Sequence, residues 1–217
     1  SMIEAAQDKN VMLSVFHNRR YDGDFLAIKE AIEKGLIGKV FHIELYGGGY
    51  GHPGTWWRSD KKISGGAFYD WGAHFVDWVL NFVPEEIDSV IGFTQKLNWW
   101  DVTNEDEVES IIKFKNGTIA DIQLSTISSI PKPRWRILGT KGGILDEGKG
   151  SFKVITKGDK PGELELKYKK SSWENYYINI AHHLLAGDAL EVTPESARRV
   201  ISVIEAISKS ALSGRVE

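Results

Sequence analysis

Two residue types suited to proton transfer stand one helical turn apart in the stretch from Gly65 to Asp77. Asp70 and His74 are four residues apart, so on a helix their side chains lie on one face and can touch. A carboxylate beside an imidazole fixes the ring tautomer and favours its charged form, as in a general acid/base. The pair is therefore the candidate catalytic pair, and a purely structural His–Asp contact is the alternative.

A helix has to carry this pair, and the aromatic spacing predicts one over residues 67–83. The two glycines at 65 and 66 allow a tight turn before it, and a proline at 84 ends it. Large apolar side chains recur at i, i+4, i+7 and i+11, which predicts one buried stripe. The members of this stripe are Trp71, Phe75, Trp78 and Phe82.

A glycine-rich loop before this helix offers candidate ligand contacts at Trp56, Trp57 and Arg58. Indole faces stack on the C–H faces of sugar rings, and a guanidinium donates to hydroxyl or carboxylate oxygens. A loop held in place by hydrophobic packing is the alternative. Asp77 adds a further candidate for substrate binding on the helix.

The same loop spells a G-x-G-x-x-G pattern with Gly49, Gly51 and Gly54 after a predicted strand. In a dinucleotide site this pattern opens a helix, whose N-terminus faces the pyrophosphate. Here Pro53 and the segment Thr55-Trp56-Trp57 do not open a helix. We therefore do not interpret the pattern as a dinucleotide fingerprint.

The composition limits the class of protein. The chain has 217 residues, 26% of them charged and 41% hydrophobic, with a net charge of −3, so no basic surface invites nucleic acid. No apolar run is long enough for a membrane span. The absence of cysteine rules out disulfides and thiolate ligands and suits a reducing compartment, so we expect a cytoplasmic protein. We also expect no metal ion.

The pattern of elements predicts an α+β fold. An unbroken apolar run at residues 11–16 is typical of a strand buried in a parallel sheet, and a polar cluster with Asn18 and Arg19 follows it. Later strands alternate and are joined by short turns, so they predict an open, predominantly antiparallel sheet. Lys115-Asn116-Gly117-Thr118 indicates a type I′ hairpin turn, and Ser171-Ser172-Trp173-Glu174 indicates a capping box. The predicted strands cover residues 40–46, 87–96, 108–115, 118–126, 134–139, 152–156 and 164–168.

In this order the motifs resemble the carboxyl-terminal portion of the Gfo/Idh/MocA oxidoreductases, the glucose–fructose oxidoreductase and inositol dehydrogenase group. The likeness covers nearly the whole chain. Its motifs are Asn18-Arg19-Arg20-Tyr21, Gly35-Leu36-Ile37-Gly38, Trp57-Arg58, Gly65-Gly66-x-x-x-Asp70-x-Gly72-x-His74-x-x-Asp77, and Thr193-Pro194-Glu195-Ser196-Ala197-Arg198.

The resemblance implies hydride transfer between NAD or NADP and a sugar, polyol or related compound. It implies that residues 1–20 are the tail end of a Rossmann-type nucleotide-binding domain. Residues 21–217 would form a dihydrodipicolinate-reductase-like C-terminal domain, with helices on one face of the sheet and homo-oligomer contacts on the open face. His74 would be the acid/base and Asp70 would orient it and the substrate. Asn18 and Arg19 would lie near the nicotinamide.

The family's dinucleotide fingerprint and its Glu-Lys-Pro motif with a catalytic lysine are absent from these 217 residues. We therefore expect this chain to be inactive by itself, as the substrate domain of a larger dehydrogenase. A stand-alone sugar-binding or oligomerisation module without catalysis is the alternative. A metal-assisted isomerase or lyase that uses Asp70, His74 and His52 is a third hypothesis.

Overall fold

The structure is a computed structural model that describes residues 1–157 and 161–217. Its centre is an eight-stranded sheet formed within those residues. The strands alternate buried and open positions over most of their length, which is the pattern of a sheet covered on one face. They are β1 (Val40–Gly48), β2 (Ile87–Gln95), β3 (Glu107–Phe114), β4 (Ile119–Ser125), β5 (Trp135–Gly139), β6 (Gly142–Asp146), β7 (Ser151–Thr156) and β8 (Gly162–Lys167).

The strand order across the sheet is β2-β3-β4-β1-β5-β6-β7-β8. Strand β1 pairs in parallel with β4, and the other neighbouring pairs are antiparallel. The predicted α+β class with an open, predominantly antiparallel sheet is confirmed. The parallel β1–β4 pair brings the carboxyl ends of both strands to the same edge of the sheet.

The α-helices of the described residues are α1 (Met2–Asp8), α2 (Gly23–Glu33), α3 (Lys61–Ser64), α4 (Trp71–Phe82), α5 (Glu174–Ala186) and α6 (Pro194–Ser213). Helices α2, α4 and α6 pack against the sheet, whereas α5 packs on the 3₁₀ turn Asn18–Tyr21. Helix α4 lies over β1 and β4, and α6 lies over β2. The side chain of Trp78 stacks on Phe25 and Phe75 and contacts Trp135 of β5. Phe75, Trp78 and Phe82 of the predicted buried stripe therefore lie in the core, but Trp71 does not, since it is 37% exposed.

The predicted strand at residues 11–16 is wrong. The segment is extended but pairs with no strand in the described part of the chain, so its backbone groups join no ladder. Val11 is 60% exposed and Phe16 is 47% exposed. Ser14 bonds to the Val192 carbonyl, and the Phe16 ring contacts Tyr176 of α5. An apolar run needs partner strands to become a buried strand, and none lies beside this one.

Two predicted local motifs, a type I′ hairpin turn and a helix capping box, do not form in the structure. In the β3–β4 hairpin the amide of Gly117 bonds to the Phe114 carbonyl, and only Gly117 of the two central residues has a positive φ, +87°. The turn is therefore not type I′, which needs positive φ at both positions. The predicted capping box at the start of α5 does not form, because the Ser171 hydroxyl accepts from the amide of Gly23.

Candidate active site

A cavity of about 650 Å³ opens where the N-terminus of α4 meets the carboxyl ends of β1 and β4. Gly47 on β1 allows this arrangement, because a Cβ there would lie 2.7 Å from the Phe75 ring of α4. The loop that contains Arg58 closes one side, and Arg134 lies on another. The cavity therefore gathers residues from the loop, the helix and the sheet.

Asp70 opens into this cavity at the N-cap position of α4. The predicted helix does not run on from residue 67, because Ala67–Tyr69 forms a 3₁₀ turn and the α-helix begins at Trp71. One Asp70 carboxylate oxygen lies 3.7 Å from a guanidinium nitrogen of Arg58. The carboxylate thus faces the helix N-terminus, the loop cation and the cavity.

The expected contact between Asp70 and His74 is not formed. His74 packs edge-on to the rings of His17 and Trp71, and its buried Nδ1 has no hydrogen-bond partner among the described residues. Burial, followed by repulsion from His17, lowers the pKa of His74 from 6.5 to about 4. The carboxylate that opposes this shift is Asp77, not Asp70. The prediction that a neighbouring Asp favours the charged ring was therefore wrong, since desolvation dominates.

His17 was missed by the sequence reasoning, although it adjoins the Asn18–Arg19 cluster. It is buried, its Nδ1 also lacks a hydrogen-bond partner, and burial lowers its pKa. Two neutral imidazoles therefore face each other beside the helix. No local pattern indicated this pair, because His17 and His74 lie far apart in sequence.

Of the three loop residues predicted to contact a ligand, two line the cavity and one does not. Trp56 lines the cavity, and its indole N–H donates to the Pro53 carbonyl at 3.0 Å. Trp57 does not line the cavity and is largely exposed. The guanidinium carbon of Arg58 lies 5.0 Å from the ring centroid of each tryptophan. The loop therefore holds Arg58 by cation–π contacts and presents one of its two indoles to a ligand.

Asp77, the further candidate for substrate binding, lies in a buried ion pair with Arg20. It is 2% exposed, and both carboxylate oxygens accept from Arg20, at 2.8 and 2.6 Å. This two-pronged pair ties the 3₁₀ turn Asn18–Tyr21 to α4. We therefore propose that Asp77 positions the turn and does not touch substrate.

Asn18 and Arg19 lie on that turn, next to His17. The Arg19 guanidinium stands 4.9 Å from the Trp71 ring centroid and pairs with Asp22 at 3.4 Å. The indole N–H of Trp78 donates to the Arg19 carbonyl, which fixes the turn against α4. The turn therefore lies beside His74, and the placement of Asn18 and Arg19 near a nicotinamide stays a prediction.

The described residues do not fit a complete dinucleotide. No strand in residues 1–157 and 161–217 is followed by a glycine-rich turn that opens an α-helix, so a pyrophosphate has no helix N-terminus to face. The pattern at Gly49, Gly51 and Gly54 leads into the three-residue 3₁₀ turn Trp57–Ser59. The rejection of that pattern as a fingerprint agrees with this geometry.

His52 is not available to join Asp70 and His74. Its Nε2 lies 2.9 Å from an Asp101 oxygen, and its Nδ1 accepts from the Gly54 amide. Among the described residues, no group of three or more His, Asp and Glu side chains has the spacing of a metal site. Nothing in the structure therefore favours the metal-assisted hypothesis.

Four more residues around the cavity escaped the sequence reasoning. Glu105 and Asp106 precede β3, and Lys132 and Arg134 precede β5. They lie on loops without regular periodicity, and the pairing of β3 with β4, of β4 with β1 and of β1 with β5 brings them to the start of α4. A pattern within one segment does not reveal such a set.

Residues 25–145, more than half of the chain, match the GFO/IDH/MocA C-terminal domain. The chain therefore belongs to the GFO/IDH/MocA family, as the sequence motifs indicated. It is 27% identical to scyllo-inositol 2-dehydrogenase (NADP(+)) IolW of Bacillus subtilis (strain 168), over 95% of this chain and 64% of that protein. It is 27% identical to myo-inositol 2-dehydrogenase of Thermotoga maritima, over 81% of this chain and 52% of that protein.

A solved structure, the NAD-binding protein from Listeria innocua, has the same architecture with a TM-score of 0.84 and 27% identity. The likeness covers 99% of this chain and 69% of that one. The chain thus spans roughly half to two thirds of the length of these relatives. Within the described ranges, none of the helices combines the length and apolar character needed to cross a bilayer.

Proposed function

We propose that this chain is the substrate-binding part of an NAD(P)-dependent oxidoreductase that acts on a sugar, a polyol or a related compound. The observation that carries the proposal is the cavity beside α4, with Asp70 and Arg58 at its wall. His74 lies one turn further along the same helix, against the cavity residue Trp71 and not among the residues that line the cavity. Membership of the GFO/IDH/MocA family and the likeness to the two inositol dehydrogenases support the same reaction class.

The neutral ring of His74 suits a base. A substrate hydroxyl loses a proton when its carbon gives up a hydride, and an unprotonated imidazole within hydrogen-bond reach accepts that proton. Asp70 and Arg58 together offer acceptors and donors to neighbouring hydroxyl groups, which orients the substrate. The nicotinamide cofactor, NAD or NADP, would take the hydride, and Asn18 and Arg19 would lie on its side of the substrate.

The open face of the sheet is where we propose that two copies associate. Phe93 and Ile111 lie on this face of β2 and β3, and Ile155 lies on it in β7; each is at least one third exposed. A homo-oligomer through this face would cover them. A cytoplasmic location is consistent with the lack of cysteine and with the reaction class.

Binding and turnover separate this proposal from the non-catalytic alternative. Calorimetric titration of the 217-residue chain with neutral sugars and polyols is expected to show binding that weakens when Asp70 becomes Asn. Turnover with NAD⁺ or NADP⁺ is expected only from a gene product that contains this chain together with a nucleotide-binding portion. Binding without turnover in every such product would favour a stand-alone module, and no binding of any sugar would overturn the proposal.

A further inference from the structure

We infer that the substrate is a sugar acid, an aldonate or a uronate, whose carboxylate binds to Lys132 and Arg134 in the cavity. The inference rests on the proposed function, because it takes the cavity beside Asp70 as the substrate site. It narrows the class of substrate from polyols in general to those that carry one carboxylate. It is supported by the hydrogen bonds that the acidic residues of the cavity already accept, by the unused donors of the basic residues, and by the aromatic contacts that hold Arg134.

Two of the three carboxylates that line the cavity are already satisfied by the protein. Glu105 accepts from Lys61 and from the Ala67 amide at 3.0 Å. Burial opposes ionisation of Glu105, yet these two bonds hold its pKa below the ordinary value. Asp106 accepts from Lys96 at 2.7 Å and from three successive backbone amides, those of residues 97–99. Their oxygens have little capacity left for substrate hydroxyls.

The basic side chains at the cavity wall, in contrast, have N–H donors that the protein does not use. In the part of the chain that the structure describes, Lys132 forms no ion pair or hydrogen bond, and only the more distant charges of Glu109 and Asp121 act on it. The carboxylate nearest to Arg134 is Asp24, at 3.9 Å, which is too long for a hydrogen bond. Unused N–H donors therefore outnumber unused acceptors, which favours an anionic ligand.

Arg134 is held rigidly enough to recognise a planar group. Its guanidinium carbon lies 5.4 Å from the ring centroids of Trp71 and Trp78 and 5.8 Å from that of Phe75. Aromatic contacts of this kind fix the plane of the guanidinium without using its N–H groups. A carboxylate matches the fork of a guanidinium with two parallel hydrogen bonds, and Lys132 adds a second charge beside it.

The test compares ligands that differ only in the acidic group. D-gluconate and D-glucitol have the same carbon chain, as do D-glucuronate and D-glucose, and calorimetry on the 217-residue chain measures each Kd. We expect the acid of each pair to bind at least about tenfold more tightly, since a charged hydrogen bond contributes about 1.5–3 kcal/mol. Replacing Lys132 by Gln is expected to remove most of that preference.

Two controls keep the test specific. Arg198→Gln removes a charge from an exposed position outside the cavity, so it is expected to preserve the acid preference. Lys132 is exposed, so its replacement does not depend on a buried contact, and Arg134→Gln serves as a second variant once its thermal unfolding has been checked. Raising the salt concentration is expected to weaken binding of the acids selectively.

The outcomes distinguish this inference from the proposed function. Equal affinities for acid and neutral ligands, or a preference that survives both variants, would overturn the sugar-acid assignment while the proposed function stands. An equal or greater gain for D-glucose 6-phosphate would overturn the assignment to a carboxylate. Binding of neither kind of ligand to the wild-type chain would overturn both.

Discussion

The carboxylate of Asp70 lies 3.7 Å from the guanidinium of Arg58. The charged neighbour of Asp70 is therefore Arg58 and not His74. The distance is too long for a hydrogen bond, so both groups keep their bonding capacity for a ligand in the cavity. His74, one turn further along α4, stays neutral among aromatic rings. The helix thus presents a charged binding pair and a separate neutral base.

Replacing Asp70 by Asn is expected to weaken binding of neutral polyols by about tenfold, because a charged acceptor contributes about 1.5–3 kcal/mol to a hydrogen bond. Calorimetric titration of the chain measures the change. Asp8→Asn serves as the matched control, since Asp8 is exposed and lies outside the cavity lining. Equal losses in the two variants would argue against a direct role for Asp70.

The two tryptophans of the loop form a matched pair. Trp56→Leu is expected to lower affinity for a sugar about fivefold, since the loss of one stacked ring costs about 0.5–1.5 kcal/mol. Trp57→Leu is expected to leave the affinity almost unchanged, because Trp57 does not line the cavity. Titration of both variants with the same sugar measures the two losses of affinity. A greater loss in Trp57→Leu than in Trp56→Leu would show that the loop is placed differently when a ligand is bound.

The pair formed by Arg20 and Asp77 is expected to stabilise the fold. Its side chains are almost completely buried, at 11% and 3% exposure, so removal of one partner leaves a buried charge without compensation. Arg20→Met is expected to lower the free energy of unfolding by about 3–5 kcal/mol. Urea unfolding checks this value, and adding Asp77→Leu is expected to recover part of the loss. A loss below about 1 kcal/mol would place the pair among ordinary surface ion pairs.

The neutral state of His74 predicts a loss of stability in mild acid. Its pKa is about 4 in the folded chain against an ordinary 6.5, so the unfolded chain binds more protons between these values. The contribution of the neutral ring is complete above about pH 6.5 and decreases as the pH falls toward 4, by no more than about 3 kcal/mol.

Urea unfolding of the wild type and of His74→Gln at about pH 7 and about pH 4.5 isolates this contribution. The wild type is expected to lose more stability than the variant over this interval. His17→Gln, measured in parallel, separates the share of the neighbouring ring, whose pKa is lowered as well. Parallel losses in wild type and His74→Gln would show that the ring is not neutralised by burial.

The sequence was sufficient for the architecture because periodicity is a local property. The aromatic spacing around Trp78 predicted α4, and alternation predicted all strands except β6. That strand begins with Gly142 and Gly143, which weaken strand propensity and hide the pattern. The apolar run at residues 11–16 predicted a strand wrongly, because no strand of the described residues pairs with it.

The site was predictable only in part, because partner choice depends on tertiary structure. Spacing placed Asp70 and His74 on one helix, but Arg58 from the preceding loop takes the carboxylate, and burial against His17 sets the state of the imidazole. The sequence made Asp77 a candidate for substrate binding, whereas in the structure its carboxylate accepts hydrogen bonds from Arg20. Arg134 enters the cavity only through the position of β5 in the sheet, which no local pattern encodes.

The role of His74 is tested by NAD(P)H formation with a panel of sugars, polyols and sugar acids, using a gene product that contains this chain in its wild-type form and with His74→Ala. We expect turnover to fall by about 10²–10⁴-fold in the variant, the usual effect of a lost acid/base, while substrate still binds. Undiminished turnover without His74 would show that the hydroxyl proton leaves by another route and that His74 is not the base.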